Sequence, residues 1–243
     1  MIKEQFTIEQ IQCTVYRDDD PAALLIQPVD DYDSERLDSE VNAITERTSV
    51  PFVLVRFKVN DWNDDLSPWS HPAVFGNKEF AGQAENTLGI IKDKLLPGII
   101  KEYGLEDVPV IIRGYSLAAL FALWCGYEDE NFGGVAAASP SLWFTGWIDY
   151  VKERQPKATH IYLSLGDREE KTRNPIMSTV GDCIRKQHDI IKEDNIDCIL
   201  EWNQGNHFRD GDIRSRKGFV WCLERIAISR GCNRKPWIRG YKQ

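Results

Sequence analysis

The segment "VPVIIRGYSLAALFALW" (residues 108–124) places a serine, Ser116, where one pattern gives way to another. A β-branched run ends at Arg113, and a run of helix formers follows Ser116. A serine on a strand-to-helix corner is held in strained backbone angles that lift its hydroxyl above the sheet. The residues two places to either side must then be small, so that strand and helix can pack closely. Gly114 and Ala118 meet that need. The corner also sets the N–H of Leu117 at a helix start, where it can donate to a developing oxyanion. A serine so placed is suited to attack on a carbonyl carbon. The same position is also a common helix N-cap, and the pentapeptide alone does not choose between the two.

A nucleophilic serine needs a base and a group to orient that base. On a doubly wound sheet these follow in the order serine, acid, histidine. His207, in "LEWNQGNHFRDG", lies a few residues beyond a strand pattern that ends near Trp202, with Gly205 loosening the turn. A neutral imidazole there can take the serine proton and return it to a leaving group. The other histidines fit this role less well. His71 lies in a long loop within reach of a substrate, His160 opens a strand, and His188 falls on a helix. Between Ser116 and His207, "IYLSLGDREEKTRNP" offers three carboxylates, Asp167, Glu169 and Glu170. Glu169 is preferred, because two residues after the Gly-Asp turn give the chain room to fold back over the sheet. Asp167 is the runner-up. At least two of the three belong to a solvated turn with Arg168, Lys171 and Arg173.

An oxyanion hole needs a second N–H beside that of Leu117. The chain enters "NDWNDD" after the apolar run of residues 51–59, so the N–H groups of Asn60, Asp61 and Trp62 are the candidates. Trp62, Trp69, Phe75, His71 and Trp143 are candidate walls of an acyl or alcohol pocket. Packing the loop onto the body is the competing role for each ring.

These residues have to be positioned by the elements around them. "QIQCTVYR" and "AALLIQPV" read as an early β-hairpin, with residues 18–21 as its turn. "DSERLDSEVNAITERT" reads as a helix capped by Ser34, with Leu37, Val41 and Ile44 on one stripe. "PFVLVRFKV" is a strand covered on both faces. The following stretch of more than 20 residues has no clear periodicity, and loops of that length are usually functional. "QAENTLGIIKDKLLPGIIKEYG" reads as a helix kinked at Pro97 and stopped by Gly104. Strand and helix patterns then alternate to a closing amphipathic helix, "SRKGFVWCLERIAISRG". The alternation predicts one α/β domain over residues 1–243: a mostly parallel, doubly wound sheet with helices on both faces. Ligands of such sheets bind beyond the C-terminal strand ends, and that is where Ser116, the acidic turn and His207 fall.

Composition narrows the partners. The net charge of -8 argues against nucleic acid or an anionic membrane. The Arg and Lys residues gathered at 209–242 read as a solvated helix face and tail. No stretch approaches the roughly 20 apolar residues of a membrane span. The first residues lack the apolar core of an export signal, so a cytoplasmic location is expected. The six cysteines form no C-x-x-C pair and read as free thiols, with no metal site indicated.

"GYSLAALFALW", "AAASPSLWF", "SLGDREEKTRN" and "NQGNHF" together resemble the putative esterase family of the α/β-hydrolase superfamily, the branch of esterase D and the enterochelin esterases. The resemblance runs from Pro51 to the closing helix, and "SPSLWF" is its most specific part. It implies an α/β-hydrolase fold and hydrolysis of carboxylic esters, sometimes thioesters, without metal or cofactor. It also implies that Ser116 is the nucleophile, that His207 is the base, and that the acid, three residues past the strand-ending Gly166, is Glu169. Two departures from the family pattern are Ala118 in place of the last elbow glycine and Asn206 in the usual Gly-Gly-His segment. A small-molecule ester is the expected partner. A hydrolase-fold binding module without turnover and an acyltransferase with the same nucleophile are the rival readings. The acyl group, the alcohol and the oligomeric state are not written in the sequence.

Overall fold

The computed structural model describes residues 1–8, 11–30 and 37–229. Eight strands form one sheet: β1 (Ile2–Ile8), β2 (Ile11–Arg17), β3 (Ala23–Val29), β4 (Phe52–Lys58), β7 (Val110–Tyr115), β8 (Phe132–Ala138), β9 (His160–Gly166) and β10 (Asp197–Asn203). Their spatial order is β1-β2-β4-β3-β7-β8-β9-β10. From β4 to β10 all neighbours run parallel, and β1 and β2 add an antiparallel edge. Two further strands, β5 (Ser70–His71) and β6 (Phe80–Ala81), pair with each other outside this sheet.

The fold is the mostly parallel α/β sheet that the alternation predicts. Side chains along β4 divide between its faces: Val53, Val55 and Phe57 enter one core cluster, Phe52 and Leu54 the other. One face is covered by α3 (Ala84–Ile90), α4 (Leu96–Tyr103), α5 (Leu117–Glu128), α6 (Trp147–Lys152) and α7 (Val180–Glu193). The other is covered by α1 (Leu37–Thr45) and α8 (Gly211–Ser229). Helix α5 is buried along almost its whole length, which explains why "LAALFALW" shows no polar stripe. In α1, Val41 and Ile44 are buried as expected, whereas Ser34 lies outside the described residues.

Three local expectations are corrected. The early hairpin does not form between β2 and β3, because β4 lies between them. All seven residues of β3 are buried, so this strand needs partners on both edges as well as cover on both faces. Residues 18–22 span β4 instead of making a tight turn: Asp18 N–H donates to Phe52 O at 3.1 Å and Ala22 N–H to Pro51 O at 2.8 Å. The hairpin that does form joins β2 to β1. Second, the long loop holds a short helix, α2 (Trp62–Leu66), as well as β5 and β6. Third, the interruption expected at Pro97 takes the form of an irregular turn just before it. α3, a π-helical turn at Ile91–Leu95 and α4 follow one another without a break, and Pro97 sits just after that turn, where its missing N–H cannot continue the regular helical ladder. Gly104 closes α4 at φ 64°, the left-handed cap that glycine favours.

Candidate active site

The parallel strands end together at one edge of the sheet, and that edge carries every element of the site. Strand β7 ends at Tyr115, and Ser116 follows with φ 59° and ψ -120°. A non-glycine residue holds such angles only where its surroundings impose them. Here Ser116 N–H donates to Ala138 O at 3.2 Å, and Ser116 O accepts from Ala119, Leu120 and Ser141 N–H at 3.1 Å each. A Cβ on Gly114 would lie 2.0 Å from the carbonyl carbon and oxygen of Ala118. Glycine is therefore obligatory two residues before the serine, while the methyl of Ala118 fits two residues after it. A capping serine would accept an N–H from the first helical turn, and Ser116 makes no such bond.

The Ser116 hydroxyl instead faces His207, with Oγ 3.0 Å from Nε2. His207 Nδ1 lies 2.6 Å from Glu169 Oε2. An ionised carboxylate can only accept, so Nδ1 carries the proton and Nε2 is left to accept from the serine. Of the three acidic candidates, Glu169 is the one at the imidazole and is 7% exposed. Asp167 accepts Gly205 N–H at 2.8 Å and so ties the histidine loop to the end of β9. Glu170 pairs with Arg185 at 3.0 Å.

Glu169 Oε1 collects three donors at 2.7 Å each: Ser139 Oγ–H, Gly166 N–H and Arg214 Nη1. Burial pushes this carboxyl up. The hydrogen bond and charge of His207, with the bonds from Ser139 and Gly166, outweigh burial and leave it below the ordinary glutamate value.

Two of these partners were not legible as site residues. Arg214 belongs to the charge run read as a solvated face, and it is 1% exposed. Its signal was its spacing, because Arg214 and Ser215 lie one turn before Gly218 and Phe219 on the buried stripe of α8. Ser139 falls in "SPSLWF", the segment with no evident physical role in the sequence. Three of its residues now have one. Ser139, at φ 47°, holds the acid; Ser141 N–H holds the backbone of Ser116; Trp143 walls a cavity beside His207. Tyr115 also joins the site, its Oη–H donating to the carbonyl of His207 at 2.5 Å.

Of the three N–H groups expected as a second oxyanion donor, two are engaged elsewhere. The N–H groups of Asn60 and Asp61 both donate to Asp65 Oδ2 at 2.9 Å, so the expectation for these two does not hold. Asp61 in turn caps α2 by accepting from Asn63 and Asp64 N–H. Trp62, first in that helix, and Leu117, first in α5, are placed where N–H groups have no partner within their own helix.

A family model described as Putative esterase matches residues 30–197. The chain belongs to this esterase family. Solved structures similar to the esterase agree on the fold. An IroE-like serine hydrolase from Shewanella oneidensis superposes with a TM-score of 0.75 at 13% identity, over 92% of this chain and 80% of its own. The siderophore hydrolase EstA from Aspergillus nidulans gives 0.70 at 17% identity, over 93% and 95%. The enterobactin esterase FES from Shigella flexneri, solved with 2,3-di-hydroxy-N-benzoyl-serine, gives 0.68 at 17%, and the esterase spans 60% of its length. No curated protein matches the sequence. Family membership makes the chain an ester hydrolase in general terms, with a small-molecule ester as substrate.

Two cavities of the esterase meet at His207 and Phe208. One, of about 420 Å³, is walled by Pro140, Trp143, Met177 and Val180, with Arg168 and Lys171 at its rim. The other, of about 580 Å³, runs past Trp62, Tyr115 and Ala118. Trp143 and Trp62 therefore stand where a pocket is expected. Trp69 and His71 line neither cavity. Trp69 donates Nε1–H to Thr145 O at 2.9 Å and stacks near Phe144, Trp147 and Tyr150, while His71 Nε2 bonds Thr145 Oγ1 at 2.8 Å. Both fasten the long loop to the body, the packing role that competed with a substrate role. Phe75 likewise packs edge-on to Phe80 and Trp143. Among the described residues no cluster of metal ligands occurs, and no helix is long and apolar enough to cross a membrane.

Proposed function

We propose that the esterase cleaves carboxylic esters through an acyl-enzyme formed on Ser116. Ser116 Oγ attacks the ester carbonyl while its proton passes to His207 Nε2. Glu169 holds the imidazole in the required tautomer and stabilises the imidazolium that forms. The tetrahedral oxyanion takes the N–H groups of Leu117 and Trp62. On collapse, the leaving alkoxide receives the proton from Nε2, and water then attacks the acyl-enzyme with His207 again as base.

The observation that carries this reading is the unbroken hydrogen-bonded chain from Ser116 Oγ to His207 at 3.0 Å and on to Glu169 at 2.6 Å, set on a strained elbow. The Trp143 cavity supports an apolar or aromatic acyl group. Siderophore esters, after the siderophore hydrolase and the enterobactin esterase among the structural neighbours, head the substrate panel, with simple aryl esters and then thioesters next.

The test is labelling by a fluorophosphonate probe, with the modified residue located by mass spectrometry. Wild type should label at Ser116, while Ser116→Ala and His207→Ala, checked for folding by circular dichroism, should not. Failure of folded wild type to label or turn over any ester favours the binding-module reading. Ester products in place of acids when alcohols are added favour acyl transfer.

A further inference from the structure

Arg214 reaches both halves of the acid–base pair. Its Nη1 donates to Glu169 Oε1 at 2.7 Å and to Ser139 Oγ at 3.2 Å. Its Nη2 donates to Gln204 O at 3.2 Å and Asn206 O at 3.0 Å, the carbonyls of the turn that leads into His207. One planar fork thus grips the carboxylate from β9 and the loop from β10, two segments that carry the acid and the base separately. The fit is close. A Cβ on Gly166 would lie 2.9 Å from each of Nη1 and Nη2, so the strand-ending glycine leaves the space that the guanidinium fills. A lysine ammonium is a point charge on a flexible stem and cannot hold four acceptors in one plane.

We propose that Arg214 is a positioning residue of the esterase, one that fixes Glu169 and His207 relative to each other and moderates the negative charge the imidazole meets. The proposal rests on the assignment of Ser116, His207 and Glu169 made above. In the resting site a single carboxylate is shared between a permanent cation and the imidazole. Without the cation, the imidazolium faces an uncompensated carboxylate and keeps its proton to higher pH. The other charged or titratable groups around His207 are Tyr115 from the end of β7, Asp167 bound to Gly205 N–H on the histidine loop, Arg168 and Lys171 across one cavity, Asp30, Glu40, Arg56, Arg113 and Asp212 along the other, and Arg209 and Asp210 on its own loop. None of these touches Glu169 as Arg214 does.

The experiment compares wild type, Arg214→Met and Arg214→Lys in hydrolysis of 4-nitrophenyl acetate across pH, with Ser116→Ala beside them and folding checked by circular dichroism. Arg214→Met should lose about 10²-fold in kcat, the scale of a small misplacement of reacting groups, with KM little changed. The acid limb of its kcat/KM profile should also move to higher pH, because the carboxylate that meets the imidazole has lost its counter-charge. Arg214→Lys keeps the charge and loses the fork, so its limb should stay in place while kcat falls about tenfold. A folded Arg214→Met with an unmoved limb overturns the proposal, whatever its plateau. Wild-type kcat in Arg214→Lys overturns it too, and that arm stands even if Arg214→Met does not fold. Turnover persisting in Ser116→Ala would instead defeat the underlying assignment, so the two failures are distinguishable.

Discussion

Replacing Glu169 by Gln changes one atom and should reverse one proton. Oε1 of Glu169 accepts from Ser139, Gly166 and Arg214, each at 2.7 Å. A glutamine must keep its oxygen on those donors, because the opposite rotamer would set an NH2 group against three of them. Its NH2 then points at His207 Nδ1 and donates to it. Nδ1 becomes the acceptor, the proton moves to Nε2, and Nε2 donates to Ser116 where it should accept. In serine proteases, where the same inversion follows replacement of the triad acid by its amide, kcat falls about 10⁴-fold. The expected result here is a 10³–10⁴-fold loss of kcat, with KM within about twofold of wild type. Stability should fall as well, because the Arg214 guanidinium is left buried without a counter-ion. Removing one partner of a buried pair costs about 3–5 kcal/mol, or on the order of 10 °C in Tm for a chain of this size. Initial rates on an aryl ester and a thermal melt by circular dichroism supply both numbers. A folded Glu169→Gln protein with kcat within tenfold of wild type would refute the reasoning, as would a loss confined to KM.

The remaining predictions follow from single contacts. Because the Glu169 carboxyl titrates below its ordinary value of 4.5, its ionised form stabilises the fold above that value, and the contribution is lost as pH falls through the lowered pKa. The gap in Tm between wild type and Glu169→Gln should therefore be widest above about pH 4.5 and close below it. Gly114→Ala puts a methyl 2.0 Å from the Ala118 carbonyl; it should abolish fluorophosphonate labelling and lower Tm, and a labelled variant with wild-type Tm would contradict this account of the elbow. Asp65→Ala releases the N–H groups of Asn60 and Asp61 and loosens the turn that places Trp62. A loss of about 10–100-fold in kcat is expected, somewhat under the cost of deleting an oxyanion donor. Phe208 is 91% exposed at the mouth of both cavities. Phe208→Ala should raise KM for bulky esters while leaving stability within about 0.5 kcal/mol, measured by steady-state kinetics and denaturant titration.

The parts of this site that could be read from sequence are those set by local chemistry. The strand-to-corner pattern at residues 108–118 and the position of His207 just past a strand needed only the neighbouring residues. The nearness of Glu169 to His207 was also within reach of the sequence, because backbone reach after Gly166 is a local property. The parts misread depend on what the chain meets far away. Arg214 has the composition of a solvated charge run, and its burial is tolerable because the distant Glu169 supplies a counter-ion and Ser139, Gln204 and Asn206 further acceptors. Asn60 and Asp61 are the local exception: their N–H groups are taken by Asp65, five and four residues further on, whose carboxylate folds back onto them. Trp69 and His71 were drawn off by Thr145, some 75 residues further along the chain. The hairpin error is of the same kind, since both strands and a turn-like segment between them were present, and the strand that separates them comes later in the sequence.

That insertion bears on how the chain is made. β2 and β3 are synthesised before β4, yet β4 lies between them in the finished sheet. A growing chain that has not reached Pro51 therefore holds β2 with one edge on β1 and the other edge open, and the nearest strand able to cover that open edge is β3. Their pairing would be local and fast, but it would occupy the edge that β4 needs. The native order can form only if that pairing is weak enough to reopen. The five-residue connection at 18–22, long for a tight hairpin and tied to the first residues of β4, is suited to keeping it weak.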